Sequence, residues 1–467
     1  MISESSVEQV ERALARLDEV DPLIASVCTR NDAAVRQAAR RDAEAGDHPV
    51  GPLHGRPVLV KDNIDTADLP TTAGSLALAG LPHPAQDAPL VQRLRAAGMV
   101  VLGKTNLSEW ANIRDGSSSS GWSAYGGLTR NPYALNRSAG GSSSGSGAAV
   151  GAGVTPYAIG TETDGSISCP AAFNGCVGLK PTVGLVPTTG VVPVSHSQDS
   201  PGPIAATVRD AAALLGVLAD GDVDYAAHAV DGRLAGKRIG VPRATYWGYS
   251  AHADEHAERA LALLAAEGAT IVDGTDLLAM TDFDWQDELT VLLAELRSGL
   301  ESYLATRGGD GPRTLADVVA FNREHAEQEL AHFGQSLFEQ SLAGPGVESR
   351  EYADARARCV RQGRDGLDAL LRGHDLDALV TPSYPPAMPI DLVNAESHAG
   401  SCTTPTAIAG YPLLTVPSGL AAGLPVAVSF WGTRGSEASL LEIGHGYEQA
   451  RNRDTGPLEA PTLAPFV

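Results

Sequence analysis

One constellation in this chain has the residue types for nucleophilic chemistry on a carbonyl group: Lys61, Ser142 and Ser166. Lys61 closes the apolar run Arg56-Pro-Val-Leu-Val-Lys61, ahead of Asp62-Asn63. Ser142 lies in Gly140-Gly-Ser-Ser-Ser-Gly-Ser-Gly147, and Ser166 follows 24 residues later in Gly160-Thr-Glu-Thr-Asp-Gly-Ser-Ile167. A serine hydroxyl is a weak nucleophile and needs a base. A lysine amine serves as that base only when neutral, and burial disfavours its ammonium form. Arginine stays protonated and cannot do this. Composition sharpens the point: of 34 basic residues, only Lys61, Lys104, Lys180 and Lys237 are lysines.

Three other patterns point to different chemistry. Gly141-Ser-Ser-Ser-Gly145 fits a G-x-S-x-G nucleophile elbow centred on Ser143, a cheap match in a serine-dense stretch. Gly145, Gly147, Gly151 and Gly153 suggest a phosphate-cradling loop, but Val150 stands where the third glycine of G-x-G-x-x-G belongs, and no G-K-[ST] follows. His252-Ala-Asp-Glu-His256 fits the inverted zinc-peptidase signature H-x-x-E-H. The bland reading of that run is a solvated acidic helix face, and no third ligand can be named.

The elements that must position these groups alternate. Ser5 or Ser6 caps a helix to about Asp18, and a second helix spans Asp32 to Glu44. Residues 56–61 form a strand, Ala88 to Ala97 a helix and Met99 to Leu102 a strand. The Gly/Ser stretch is followed by a small-residue helix, Ala148 to Gly153, and a strand, Tyr157 to Thr161. A loop, a tight helix and a strand suggest a site rather than a flexible tether. Further on come a helix at Thr207–Leu218, a strand at Arg238–Val241, a helix at His252–Glu267 and a strand at Ala269–Val272. Residues 281–372 are almost wholly helical. Strands follow at Ala378–Val380, Leu413–Val416 and Leu424–Phe430, then a final helix from Glu437 to Arg451. The fold class is α/β: a large mixed β-sheet surrounded by α-helices, read as one domain over residues 1–467 with a helical insertion at about 281–372.

The chain has 467 residues, 43% of them hydrophobic and 19% charged, enough for a large core. No apolar run reaches the ~18 residues of a membrane span. The formal charge of -22 repels phosphate backbones and argues against nucleic acid as the partner. Five widely spaced cysteines without a C-x-x-C give no disulfide framework or zinc ribbon. The acidic, polar N-terminus shows no signal peptide, so a cytoplasmic location is expected.

Together, Lys61-Asp-Asn63, Gly140-Gly-Ser-Ser143, Gly160-Thr161 with Asp164-Gly-Ser-Ile167, Pro170-Ala171 and Gly178-Leu-Lys-Pro181 resemble the amidase signature family of serine hydrolases, with a signature core at about 56–205. The resemblance implies a Ser-Ser-Lys triad in which Ser166 is the nucleophile, Ser142 relays the proton and Lys61 is the base. It also implies a cis Gly141-Ser142 peptide and an oxyanion hole made of the backbone N–H groups of Thr163, Asp164, Gly165 and Ser166. No metal or organic cofactor is implied. The family commonly reads G-G-S-I-R at the nucleophile. Here Asp164 and Ser168 replace the first glycine and the arginine, which weakens a transamidase-subunit reading. Asp164 is expected to favour a neutral or cationic substrate group. Lys104 and Lys180 are expected to be structural.

The run Gly160–Ile167 with Cys169-Pro-Ala is similar to bacterial peptide amidases, as are Gly103–Ala111, Ser119–Ser123, Leu315–Asn322, Gly423–Val426 and Gly432-Thr433. That likeness implies a peptide amide substrate hydrolysed at its C-terminal carboxamide, with a general small-amide amidase or esterase as the alternative. A monomer or homodimer is expected.

Overall fold

The computed structural model describes residues 4–46, 51–397 and 399–466. Its centre is one mixed sheet of eleven strands: β1 (Val27–Arg30), β2 (Pro57–Lys61), β3 (Val100–Thr105), β4 (Tyr157–Glu162), β5 (Val177–Lys180), β6 (Ser200–Ala205), β7 (Arg238–Val241), β8 (Thr270–Asp273), β9 (Ala378–Pro382), β10 (Leu413–Ala421) and β11 (Leu424–Trp431). Their spatial order is β1-β3-β2-β4-β6-β5-β10-β11-β9-β7-β8. β2 runs parallel to both β3 and β4, while β4, β6, β5, β10 and β11 pair antiparallel in turn.

The sheet is covered on both faces, so its middle strands read as continuous apolar runs rather than alternating ones. Alternate side chains of β2 enter different cores. Val58 and Val60 join one cluster, and Leu59 joins the other with Ala148 and Ala149. Period-two alternation puts Lys61 on the Leu59 face, beneath the small-residue helix.

The first helix, α1 (Ser6–Ile24), begins at a capping box between Ser5 and Glu8, as the sequence indicates, but continues past Asp18 through Pro22 to a left-handed cap at Ala25. The small-residue helix α2 (Ser144–Gly151) starts earlier than expected, inside the serine run. A short helix, α3 (Ser168–Phe173), follows the Ser166 turn. The helix α4 (Ala251–Ala266) carries the His252 pattern. The helical stretch begins with α5 (Trp285–Leu304) and ends with a helix at Gly366–Gly373. Its apolar face, including Leu293, Leu296, Leu300 and Phe338, packs on Trp110, Ile113, Val192 and Val194. The helical stretch is thereby fixed against loops that reach the site. No described helix is long and apolar enough to cross a membrane.

Candidate active site

Lys61 ends β2 and is fully buried. Its Nζ donates to Ser142 Oγ at 2.8 Å, to Thr161 Oγ1 at 2.9 Å and to the Thr161 carbonyl at 3.3 Å. Asn63 also donates to Thr161 Oγ1, at 3.0 Å. Among the described residues no carboxylate pairs with the amine. Burial pushes its pKa down to about 7, while the carboxylates of Asp199 and Glu162 pull the other way. The amine is thus poised between its charged and neutral forms near neutral pH.

Ser142 follows a cis Gly141–Ser142 peptide. The loop around it is tight: a Cβ on Gly141 would stand 2.3 Å from Ser108 Oγ, so only glycine fits. The Ser108 N–H donates to the Ser142 carbonyl at 3.0 Å. The next residue joins the two serine segments, because Ser143 N–H donates to the Ser166 carbonyl at 3.1 Å.

Ser166 lies in the turn between β4 and α3. Gly165 takes φ +85°, and a Cβ there would approach the Tyr384 hydroxyl to 2.4 Å. Glu162 secures the turn: one of its oxygens accepts from Ile167 N at 2.7 Å, Ser168 N at 2.8 Å and Ser168 Oγ at 2.8 Å. Ser168, which stands where the family commonly has arginine, thus pairs with this carboxylate. Thr163 Oγ1 donates to Asp199 at 2.6 Å, and the other Asp199 oxygen accepts from the N–H groups of Val194 and Ser195. Burial raises the Asp199 pKa to about 6.

Asp164, expected to favour a neutral or cationic substrate group, is also engaged within the protein. One carboxylate oxygen accepts from Thr403 Oγ1 and the other accepts from Thr404 Oγ1 at 2.7 Å. Burial raises its pKa while these hydroxyls pull it back, and they tie the turn to the helix at Thr404–Ala409.

Thr163, Asp164, Gly165 and Ser166 line a cavity of about 440 Å³ together with Gly141 and Asn112. Lys61 donates to Ser142, and the neighbouring Ser143 N–H donates to the Ser166 carbonyl, so three separate segments are brought together beside this cavity.

The other patterns have structural explanations. Ser143 is buried, and its hydroxyl clips Thr161, donating to the carbonyl at 3.1 Å and accepting from the N–H at 3.2 Å. Gly145 packs so closely that a Cβ would lie 2.1 Å from the Ser26 carbonyl, leaving no cradle for phosphate. His252 is exposed on α4, and His256 Nδ1 sits 3.3 Å from the Ser418 carbonyl. No metal-binding group of three or more His, Cys, Asp or Glu occurs among the described residues. Lys104 pairs with Asp62 at 3.3 Å, and Lys180 donates to the Tyr411 carbonyl at 2.7 Å, both structural as expected.

Thr161, Asp199 and Asn112 do not stand out in the sequence as site residues. Thr161 sits inside the Gly160–Ile167 motif, but its contact with Lys61 depends on the pairing of β2 with β4. Asp199 lies on a remote loop with no local signal, and Asn112 follows directly on the Gly103–Ala111 run without being marked by it.

The family described as Amidase matches residues 8–441. A probable amidase of Arabidopsis thaliana is 38% identical over 96% of this chain and 87% of its own. One component of the glutamyl-tRNA(Gln) amidotransferase of Symbiobacterium thermophilum is 36% identical over 95% of this chain and 93% of its own. The native peptide amidase of Stenotrophomonas maltophilia superposes with a TM-score of 0.89 at 45% identity, covering 98% of this chain and 96% of that one. The family match over most of the chain and these relatives lead to one conclusion: the chain belongs to the amidase signature family and is an amidase, a hydrolase of C–N bonds.

Proposed function

We propose that the protein hydrolyses the C-terminal carboxamide of peptides through a Ser-Ser-Lys triad. The observation that carries this reading is the Lys61 amine, buried with no ion-pair partner among the described residues and 2.8 Å from Ser142 Oγ. In this mechanism Ser166 Oγ attacks the carboxamide carbon. Its proton passes to Ser142 as the Ser142 proton passes to neutral Lys61. The tetrahedral oxyanion is held by the N–H groups of Thr163, Asp164, Gly165 and Ser166, a contribution of about 2.7–4 kcal/mol per donor. Collapse breaks the C–N bond, and the proton returns through Ser142 to the nitrogen, which leaves as ammonia. Water then attacks the acyl-enzyme by the same relay, giving the free acid and regenerating Ser166.

The peptide amide preference is supported by 45% identity across nearly the whole length of a peptide amidase. The likeness to an amidotransferase component favours a second reading, a role within such a complex. Ser168 paired to Glu162, in place of an arginine, weighs against it. The test is a panel of peptide amides, free peptides, small amides and esters, followed for ammonia and new carboxyl groups. Ammonia from peptide amides, with no cleavage of free peptides, is expected. Ammonia only from small amides would point to a general amidase, and turnover only with a partner protein to the amidotransferase role.

A further inference from the structure

The turn at 163–166, to which the mechanism assigns the oxyanion donors, is held by side chains from distant segments, and one of them belongs to the helical stretch. Glu288 lies in the first turn of α5 and is buried. Its carboxyl group is within hydrogen-bonding reach of the Asp164 carboxylate. One Glu288 oxygen accepts from Gln198 Nε2 at 2.8 Å, and the same nitrogen reaches the Thr163 carbonyl at 3.5 Å. Glu288 therefore meets both leading residues of the turn, Asp164 directly and Thr163 through Gln198. From other sides, Thr403 and Thr404 hold Asp164, and Asp199 holds Thr163.

Two carboxyl groups in contact do not both ionise, and such a pair is held together by a shared proton. The neighbours decide where that proton sits. Asp164 accepts from two hydroxyls, which favour its carboxylate form. Burial and the adjacent Asp164 charge hold Glu288 well above the usual carboxylate range. Glu288 is thus the neutral donor and Asp164 the charged acceptor, and a hydrogen bond to a charged group is stronger than one between neutral groups. Its acceptor lines the cavity beside Ser166. Oxyanion donors act only when they stand in place before charge develops, and displacements of about 1 Å are costly.

We propose that Glu288 is a positioning residue for the oxyanion hole: its carboxyl group donates a hydrogen bond to Asp164 and so sets the backbone N–H groups of the 163–166 turn. The helical stretch then contributes to the chemical step through a residue that touches no substrate. The inference rests on the oxyanion role given to this turn above and adds a residue to it.

The test measures ammonia release from the amide turned over fastest in the panel above. Glu288→Gln keeps the size of the side chain, a donor for Asp164 and an acceptor for Gln198. Glu288→Met keeps its length and removes both. In Glu288→Met, kcat is expected to fall about 10- to 100-fold with KM nearly unchanged, because the turn is needed in the transition state. Glu288→Gln is expected to keep most of the parental kcat. Asp164→Ala is expected to show the same fall as Glu288→Met, and adding Glu288→Met in that background should cost nothing further. A glutamine variant as slow as the methionine variant, losses that add in the double variant, or a loss in KM rather than kcat would overturn the inference. Should Glu288→Met not fold, Asp164→Ala decides alone: a parental kcat there overturns the inference, and the expected fall with KM unchanged supports it. Ser166→Ala, run alongside, separates the two readings. If it stays active, the oxyanion assignment falls as well; if it is inactive, a failure at Glu288 overturns this inference only.

Discussion

Two lysines on neighbouring strands show how similar burial gives opposite roles. Lys61 on β2 and Lys104 on β3 are both fully buried, and the strands are paired, with Val60 opposite Lys104 and Lys61 opposite Thr105. Lys104 meets the Asp62 carboxylate at 3.3 Å and donates to the Ile64 and Pro70 carbonyls and Thr71 Oγ1. A countercharge and three oxygens make it a cross-strand brace. Lys61 meets two hydroxyls and a carbonyl, and burial brings its pKa to about 7. Lys180 lies between the two. Burial lowers its pKa to about 8, with Glu162, Glu437 and Asp164 pulling the other way. The lesson is electrostatic: burial alone turns a lysine into a base, and burial beside a carboxylate makes it a structural cation.

That contrast can be broken from several sides. The largest effect is expected at the site itself. Ser166→Ala should cost about four or more orders of magnitude in kcat, as for loss of a serine nucleophile elsewhere, with the thermal midpoint nearly unchanged. Lys61→Arg should be almost as severe, because guanidinium does not give up its proton at any working pH. A variant retaining most of its rate would remove lysine from the mechanism.

Lys104→Met should act on stability instead. It strands a buried Asp62, whose remaining partner is Thr72, and the expected loss is about 3–5 kcal/mol in chemical denaturation. A denaturation midpoint like that of the parent would mean that Lys104 is no brace.

The smallest predicted effect is a shift in pH dependence. Activity requires neutral Lys61, so kcat/KM should rise with pH through about 7 and then level off. The Asp199 carboxylate raises the Lys61 pKa. Asp199→Asn removes that field, so the rising limb should move to lower pH, alongside a reduced rate from the loosened Thr163 turn. Movement to higher pH would contradict the assigned sign.

Much of this site is legible in the sequence because its groups fall within short motifs. Lys61, Ser142 and Ser166 each sit in a short run, and the positive φ at Gly165 gives one of its small residues a local reason. The groups that tune or contact them are not legible. Asp199, Thr403 and Asn112 reach the site only through tertiary packing, and no local periodicity marks them. The fold divides the same way. Helices with amphipathic faces and Val-rich strands are visible, whereas β1, β5 and β6 are not. β6 (Ser-Pro-Gly-Pro-Ile-Ala) has a composition that argues against a central strand. Pro201 and Pro203 are tolerated because they pair with β4 alone, and β5 pairs only with Ile204 and Ala205. Asp164 shows the converse limit: its identity is plain, but its engagement by Thr403 and Thr404 depends on a segment more than two hundred residues away.

The scarcity of lysine also makes the protonation of Lys61 directly measurable. Lysine labelled with ¹³C at Cε gives one resonance for each of four residues, and Lys61→Arg identifies the one that matters. This resonance should titrate near pH 7 in the free enzyme, parallel to the rise in kcat/KM. A Lys61 resonance that remains in its protonated position to pH 9 or above would contradict it.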